Sequence, residues 1–329
     1  MAEFKDHTNK IIIREQWCLP ILKHLKENLD YKLIYFGLPG IEGLDILTWI
    51  NYLDYIIAID CGDYSKEYNF EQAKENIKKL NRLLSRLETE EKISGYSLFH
   101  GYIEEVVLKG YDQGGNKFSQ DRLVQIYNLD FCNPLTSPLC LSDLKGNINK
   151  YYKIEVIRKL LALQLDLCIS KRSDRFVMFV TVHSRFWEDE ASKHFTNNLN
   201  KDFEDYYNYI RSLSKQERNI RLLRFYFFNI IRDQFTSNGF IPEFFPSIYY
   251  NGAANSKLIC FTIAGTYYQD PSATAPFRQN FKELVNSKFL SPDKKNIVIN
   301  NANDEEMEVS PDPIEHLVNF QSYRNLWRK

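Results

Sequence analysis

Residues 31–50 read YKLIYFGLPGIEGLDILTWI. An apolar run ends in Gly37, Gly40 and Gly43, and an amphipathic helical pattern begins beyond them. A strand that feeds a helix through a glycine-rich turn is where α/β sheets commonly hold nucleotides. Glycine has no Cβ, so a ligand can approach the backbone closely, and the first N–H groups of the helix point outward. The same three glycines would also serve a tight strand-to-helix turn with no ligand, and the turn alone does not separate the two.

Outward from this stretch, apolar β-rich runs recur at Lys32–Gly37, Tyr55–Asp60, Tyr96–His100, Val124–Asp130 and Arg175–His183. Near-continuous hydrophobicity suits parallel strands covered on both faces. Helical patterns alternate with them over Ile41–Tyr52, Asn69–Leu87 and Lys153–Leu167. Strand alternating with helix predicts a layered, parallel α/β sheet. Residues 196–236 then read as helices rich in Tyr, Phe and Arg. Two further strands, Phe245–Tyr250 and Lys257–Tyr267, are joined by a hairpin signal at Asn251–Asn255. Before the first strand, Lys10–Asn28 reads as a helix broken near Pro20.

The expected organisation is an N-terminal helical segment over 1–30 and an α/β domain over 31–268, with a helical insertion at about 194–238. The tail, 269–329, carries the polar, acidic stretch Asn300–Pro313, expected to be mobile, and a short helix, Ile314–Trp327, expected to dock back.

Composition narrows the function classes. The chain has 329 residues, is 44% apolar, and carries a net charge of −1, so it is no strongly basic nucleic-acid binder as a whole. Its six cysteines form no C-x-x-C pair, which argues for free buried thiols in a reducing compartment rather than a zinc site or disulfide framework. The start, MAEFKDHTNK, lacks the apolar segment of a signal peptide, and no uncharged run approaches the ~20 residues of a membrane span. A soluble, cytoplasmic protein without a metal is the expectation.

The second strand ends in Ala58-Ile59-Asp60, about 20 residues beyond the glycine turn. A carboxylate there can accept hydrogen bonds from ribose hydroxyls, although Asp60 could also simply start the turn in DCGDYS. Two cofactor classes fit, a nicotinamide dinucleotide and S-adenosylmethionine. Short-chain-type dehydrogenases need Tyr-x-x-x-Lys, and no lysine of this chain has Tyr four residues before it. A Walker A loop is absent as well.

Five α/β strands followed by a hairpin resemble the class I S-adenosylmethionine-dependent methyltransferase fold, a Rossmann-like seven-stranded sheet with an antiparallel last strand. The resemblance covers about residues 30–268. It implies that Gly37, Gly40 and Gly43 cradle the amino-acid end of the cofactor and that Asp60 holds its ribose. Gly101 and Tyr102, in His100-Gly101-Tyr102-Ile103, would line the adenine. Asp130, in Asn128-Leu129-Asp130-Phe131-Cys132-Asn133-Pro134, would face the methyl acceptor. More narrowly, His7-Thr8 and Lys10, the FGLPG turn and LDFCNP resemble three-Cys-motif partner proteins and related methyltransferase-like proteins of bacterial defence islands. Two departures stand out. The acidic residue usual before the loop is Tyr35 here, and the common F-A-G-P-G form is FGLPG. Glu42 or Asp45 is a candidate replacement carboxylate for the cofactor's ammonium group.

The segment around Asp130 does not match the [DNS]-P-P-[YFW] signature of exocyclic-amine methylation, because its prolines are not paired and Phe131 follows Asp130 directly. Cys132 suits packing more than nucleophilic catalysis. His183, closing the fifth strand, is a candidate base or a structural histidine. Arg218, Arg221 and Arg224 recur every three residues, with Arg211, Lys215 and Arg232 nearby. They could meet phosphates, with Tyr206, Tyr207 and Tyr209 stacking on bases, or form a solvated face or protein interface. Two functions remain open. One is a methyltransferase, acting on nucleic acid in anti-phage defence. The other is a non-catalytic subunit or sensor of the same fold, with a protein partner in a defence complex.

Overall fold

The computed structural model describes residues 8–27, 29, 32–62, 70–142, 146–171, 175–185, 208–210, 212–252, 256–268, 274–287, 289–293 and 296–300. In chain order, α1 (Thr8–Ile12), a π-helical turn (Ile13–Cys18) and α2 (Leu19–Glu27) lead into β1 (Leu33–Gly37). Next come α3 (Leu44–Trp49), β2 (Leu53–Asp60), α4 (Phe70–Thr89), β3 (Gly95–His100) and α5 (Ile103–Lys109). They are followed by β4 (Ile126–Pro134), β5 (Leu139–Ser142), β6 (Ile148–Tyr151), α6 (Lys153–Lys171) and β7 (Arg175–His183). The last group is α7 (Lys215–Ser237), β8 (Phe240–Phe244), β9 (Ile248–Asn251), β10 (Lys257–Tyr267), α8 (Phe281–Asn286), β11 (Phe289–Asp293) and β12 (Asn296–Asn300).

One ten-stranded sheet runs in the order β12-β11-β9-β10-β7-β4-β1-β2-β3, with β8 also paired to β10. From β3 to β7 every pairing is parallel. β10 runs antiparallel to β7 over nine registered pairs. This is the α/β, Rossmann-like, methyltransferase-type sheet that the sequence predicts, and all seven expected strands lie in it. β8 and β9 are two halves of one interrupted strand, both antiparallel to β10, broken at Pro246–Ser247. β11 and β12 extend the sheet past the expected seven strands, from within the segment read as tail.

Each face of the sheet has its own core. α1 to α4 cover one face, where Trp17 and Trp49 are almost wholly buried. α5 to α8 cover the other, where Phe227 stacks on Phe261 at 3.9 Å. Each such aromatic contributes on the order of 1.5–3 kcal/mol by leaving water.

Pro20 does not break the N-terminal helix as expected. The π turn precedes it, with Leu19 N–H bonded to the Arg14 carbonyl five residues back, so the helix has shifted register before it reaches a residue with no N–H. Cys18, Cys168 and Cys260 are buried free thiols, Cys61 is half-buried, and Cys140 departs from the expectation by lying exposed on β5. No helix among the described residues is long and apolar enough to cross a membrane. The acidic segment beyond Asn300, the helix at Ile314–Trp327, and His7, Tyr206, Tyr207 and Arg211 lie outside the described residues.

Candidate functional site

Parallel register brings the carboxyl ends of five strands to one edge, where α/β sheets bind ligands. Gly37 pairs with Ala58 on β2 and with Asn128 on β4. Asp60 pairs with His100, and Asp130 with Thr181. Gly37, Asp60, Gly101, Tyr102, Asp130 and His183, read separately from the sequence, therefore sit along a single edge.

The glycine turn is tied down from below. Leu38 N–H donates to the Asn128 carbonyl at 3.0 Å. A Cβ on Gly37 would stand 2.4 Å from that carbonyl oxygen and 2.7 Å from the Tyr35 hydroxyl, so only glycine fits. Gly40 and Gly43 hold φ of 66° and 56°, in the left-handed region, and Gly43 caps the start of α3.

Two carboxylates behind this turn are engaged by the N-terminal helix. Asp45, in the first turn of α3, pairs with Arg14 of the π turn and accepts from the Asn128 side-chain amide. Burial pushes the Asp45 carboxyl above its ordinary range, against the pull of Arg14. Asp130, at the end of β4, pairs with Lys10 of α1. Trp49 Nε1 donates to the Arg14 carbonyl at 3.3 Å. Lys10, Arg14, Asp45 and Asp130 make a quartet with no net charge. Glu42, the other candidate replacement carboxylate, is exposed. Tyr35 is wholly buried, and burial raises its hydroxyl pKa well above the usual value.

Asp60 is buried, and its Oδ1 accepts from Gly62 N–H at 2.6 Å. Gly62 in turn is wedged under α4, where a Cβ would meet the Ala73 carbonyl at 2.3 Å. Asp60 thus builds the turn after β2. Gly101 N–H donates to the Asp60 carbonyl at 2.9 Å, joining the ends of β2 and β3, and Tyr102 starts α5. His183 Nδ1 accepts from Arg185 N–H at 3.0 Å, and partial burial with the nearby Arg185 charge holds its pKa below the usual histidine value.

The basic stripe of α7 needs correction. Arg224 is fully buried, donates to the Leu284 carbonyl at 3.0 Å and to Ser287 at the end of α8, and lies over the Phe289 ring at 4.4 Å. It caps a helix and cannot meet a phosphate. Arg218 and Arg221 are half-buried, and Tyr209 is exposed. The Cys132 side chain falls outside the described set. Among the described residues no group of three or more His, Cys, Asp or Glu could hold a metal.

Arg14 and Asn128 were given no role by the sequence reading, and Lys10 entered it only through a motif. The available signal was Arg14 itself, a cation that directly follows the apolar run Ile11–Ile13.

No family model matches the chain, and no curated protein matches it. Among solved structures it is similar to the YcgJ protein of Bacillus subtilis, at 11% identity over 75% of this chain and 98% of that chain, with a TM-score of 0.35. An rRNA methylase from Streptococcus thermophilus matches at 12% identity over 75% of this chain and 94% of that one, with a TM-score of 0.32. A SAM-dependent methyltransferase from Agrobacterium tumefaciens matches at 14% identity over 79% and 62%, also with a TM-score of 0.32.

Proposed function

We propose that the chain is a methyltransferase-like protein that binds S-adenosylmethionine along the carboxyl edge of its sheet. The observation that carries this reading is the convergence of Gly37, Asp60, Gly101 and Asp130 on one edge of a sheet with methyltransferase strand order. The turn supplies glycine backbone in the left-handed region at Gly40 and Gly43, while the Cβ positions of Gly37 and Gly43 are closed by the protein's own Asn128 carbonyl and Leu83. Bound there, the cofactor supplies an electrophilic methyl group. The turn and Asp45 hold its amino-acid end, Asp60 its ribose, and Gly101 and Tyr102 its adenine. Asp130 orients the acceptor, and His183, whose pKa is held below the ordinary histidine value, takes up a proton. Catalysis in this reading comes mainly from positioning. The acceptor is nucleic acid, met in part by Arg218 and Arg221.

Calorimetry with S-adenosylmethionine tests the reading. Asp60→Asn keeps the oxygen that Gly62 N–H needs but loses the charge, so binding should weaken about tenfold. No heat at millimolar cofactor would overturn the assignment.

A second reading has its own support. Tyr35 stands where an acidic residue is usual, and Lys10 occupies the acceptor carboxylate. Both suit a non-catalytic subunit or sensor in a bacterial defence complex, which would bind a protein partner whether or not it binds cofactor.

A further inference from the structure

The N-terminal helix changes character at its π turn. Beyond the turn, α2 is anchored by apolar burial, with Leu22 fully buried and Ile21 and Leu25 nearly so. Within the turn, Trp17 is fully buried and its Nε1 donates to Thr262 at 2.9 Å. Before the turn, α1 is held largely by polar contacts. Asn9 donates to the Asn251 carbonyl at 2.8 Å, and Lys10 pairs with Asp130. Ile12 supplies its buried apolar contact.

The two ion pairs differ in kind. The side chains of Arg14 and Asp45 are 9% and 17% exposed, and those of Lys10 and Asp130 are 27% and 28% exposed. A buried pair that also accepts a side-chain amide bond is hard to separate, whereas a pair open to water exchanges partners readily. π turns occur inside helices mostly as single bulges, frequently at functional sites, and are among the places where helices kink.

We propose that Thr8–Ile12 is a lid on the carboxyl edge of the sheet, hinged at the π turn, pinned by Arg14–Asp45 and latched by Lys10–Asp130. Closed, the lid places the protein's own ammonium on the carboxylate that would orient an acceptor. A ligand that presents a hydrogen-bond donor to Asp130 must displace Lys10 and so frees α1. The proposal concerns regulation of the site assigned above and rests on that assignment for its meaning, but the lid itself can be tested on ligand-free protein.

The experiment is amide hydrogen exchange on the full chain, comparing wild type with Lys10→Gln and Asp130→Asn. Losing a half-exposed ion pair should speed exchange of residues 8–12 on the order of threefold to fivefold, with residues 19–27 unchanged. Arg14→Met should instead speed exchange across α1, the π turn and α3 together. Unchanged exchange in 8–12 for both latch variants would overturn the lid. So would acceleration spread evenly over 8–27, because the arm and α2 would then move as one rigid helix. Failure of cofactor binding by calorimetry, with the local exchange effect intact, would remove the assigned ligand and leave the lid standing.

Discussion

Replacing Arg14 by methionine tests whether the charged quartet holds the site together. The change keeps much of the side-chain volume but removes the cation from Asp45. Breaking a buried ion pair by deleting one partner typically costs about 3–5 kcal/mol. Two features put this site at the low end. Asp45 keeps the bond from the Asn128 amide, and its carboxyl, already raised by burial, can take up a proton once Arg14 is gone. About 3 kcal/mol is expected at pH 7, which corresponds to roughly 6 °C in Tm at about 2 °C per kcal/mol for a large domain. Urea unfolding followed by tryptophan fluorescence reads it directly, since Trp17 and Trp49 are both nearly wholly buried against this region. The pH dependence separates charge from packing. A carboxyl whose folded pKa is raised contributes stability that is fully present below its unfolded value, near 3.8, and is lost as pH rises through the folded value. The Arg14→Met deficit should therefore be larger at pH 7 than at pH 4. The pair Arg14→Met with Asp45→Leu should recover most of the loss, short of the bond that Asn128 no longer makes. A deficit below about 1 kcal/mol, or one of equal size at pH 4 and pH 7, would refute the reasoning.

Gly37→Ala should lose about 2 kcal/mol or more in denaturant unfolding, because its Cβ meets a backbone oxygen that is itself holding Leu38 N–H. Glu243, half-buried on β8, has its pKa pushed up to about 8 by desolvation, which Arg278 only partly offsets. Its contribution to stability is complete below about 4.5 and is lost as pH rises through about 8, so Glu243→Gln should exceed wild type in urea midpoint at pH 9 and match it at pH 4.5. His183 should titrate below 6.5 by proton NMR, and Arg185→Gln should move it upward. Because the folded pKa of His183 is depressed, its neutral form supports the fold above about 6.5, and that support fades as pH falls through the folded value. Arg224→Met should destabilise the fold by roughly 1–3 kcal/mol, since the Ser287 carbonyl at the end of α8 loses the guanidinium and the Leu284 carbonyl loses one of its donors.

The parts of the fold legible in the sequence were those where burial on both faces leaves a long apolar run. β7 is the clearest case, with eight of its nine residues buried. Short elements carried no comparable pattern. α5 spans seven residues and ends at Gly110 in a left-handed conformation, and β11 and β12 have five residues each. β8 was hidden because α7 runs almost directly into it, with only Asn238 and Gly239 between. At the site, strand-end residues were readable because register is dictated by the strands themselves. Partners from distant segments were not. Lys10 reaches Asp130 across 120 residues, and no local periodicity reports such a pairing. Arg224 misled for a related reason. Spacing places it on a helix face, and only the position of α8 shows that the face is covered.

The pairing of β7 with β10 has a consequence for synthesis. β7 is an apolar strand that β10 alone shields along one side, and β10 lies roughly 70 residues further along the chain. At about 5–20 residues per second, an emerging chain exposes that uncovered edge for several seconds before its cover has been made. An unpaired strand edge whose one charge, Arg175, stands at its start is a template for joining to another chain. Fragments that stop before Lys257 should accordingly collect as aggregates, and slowing translation over α7 should lower the yield of folded protein more than slowing it after Tyr267.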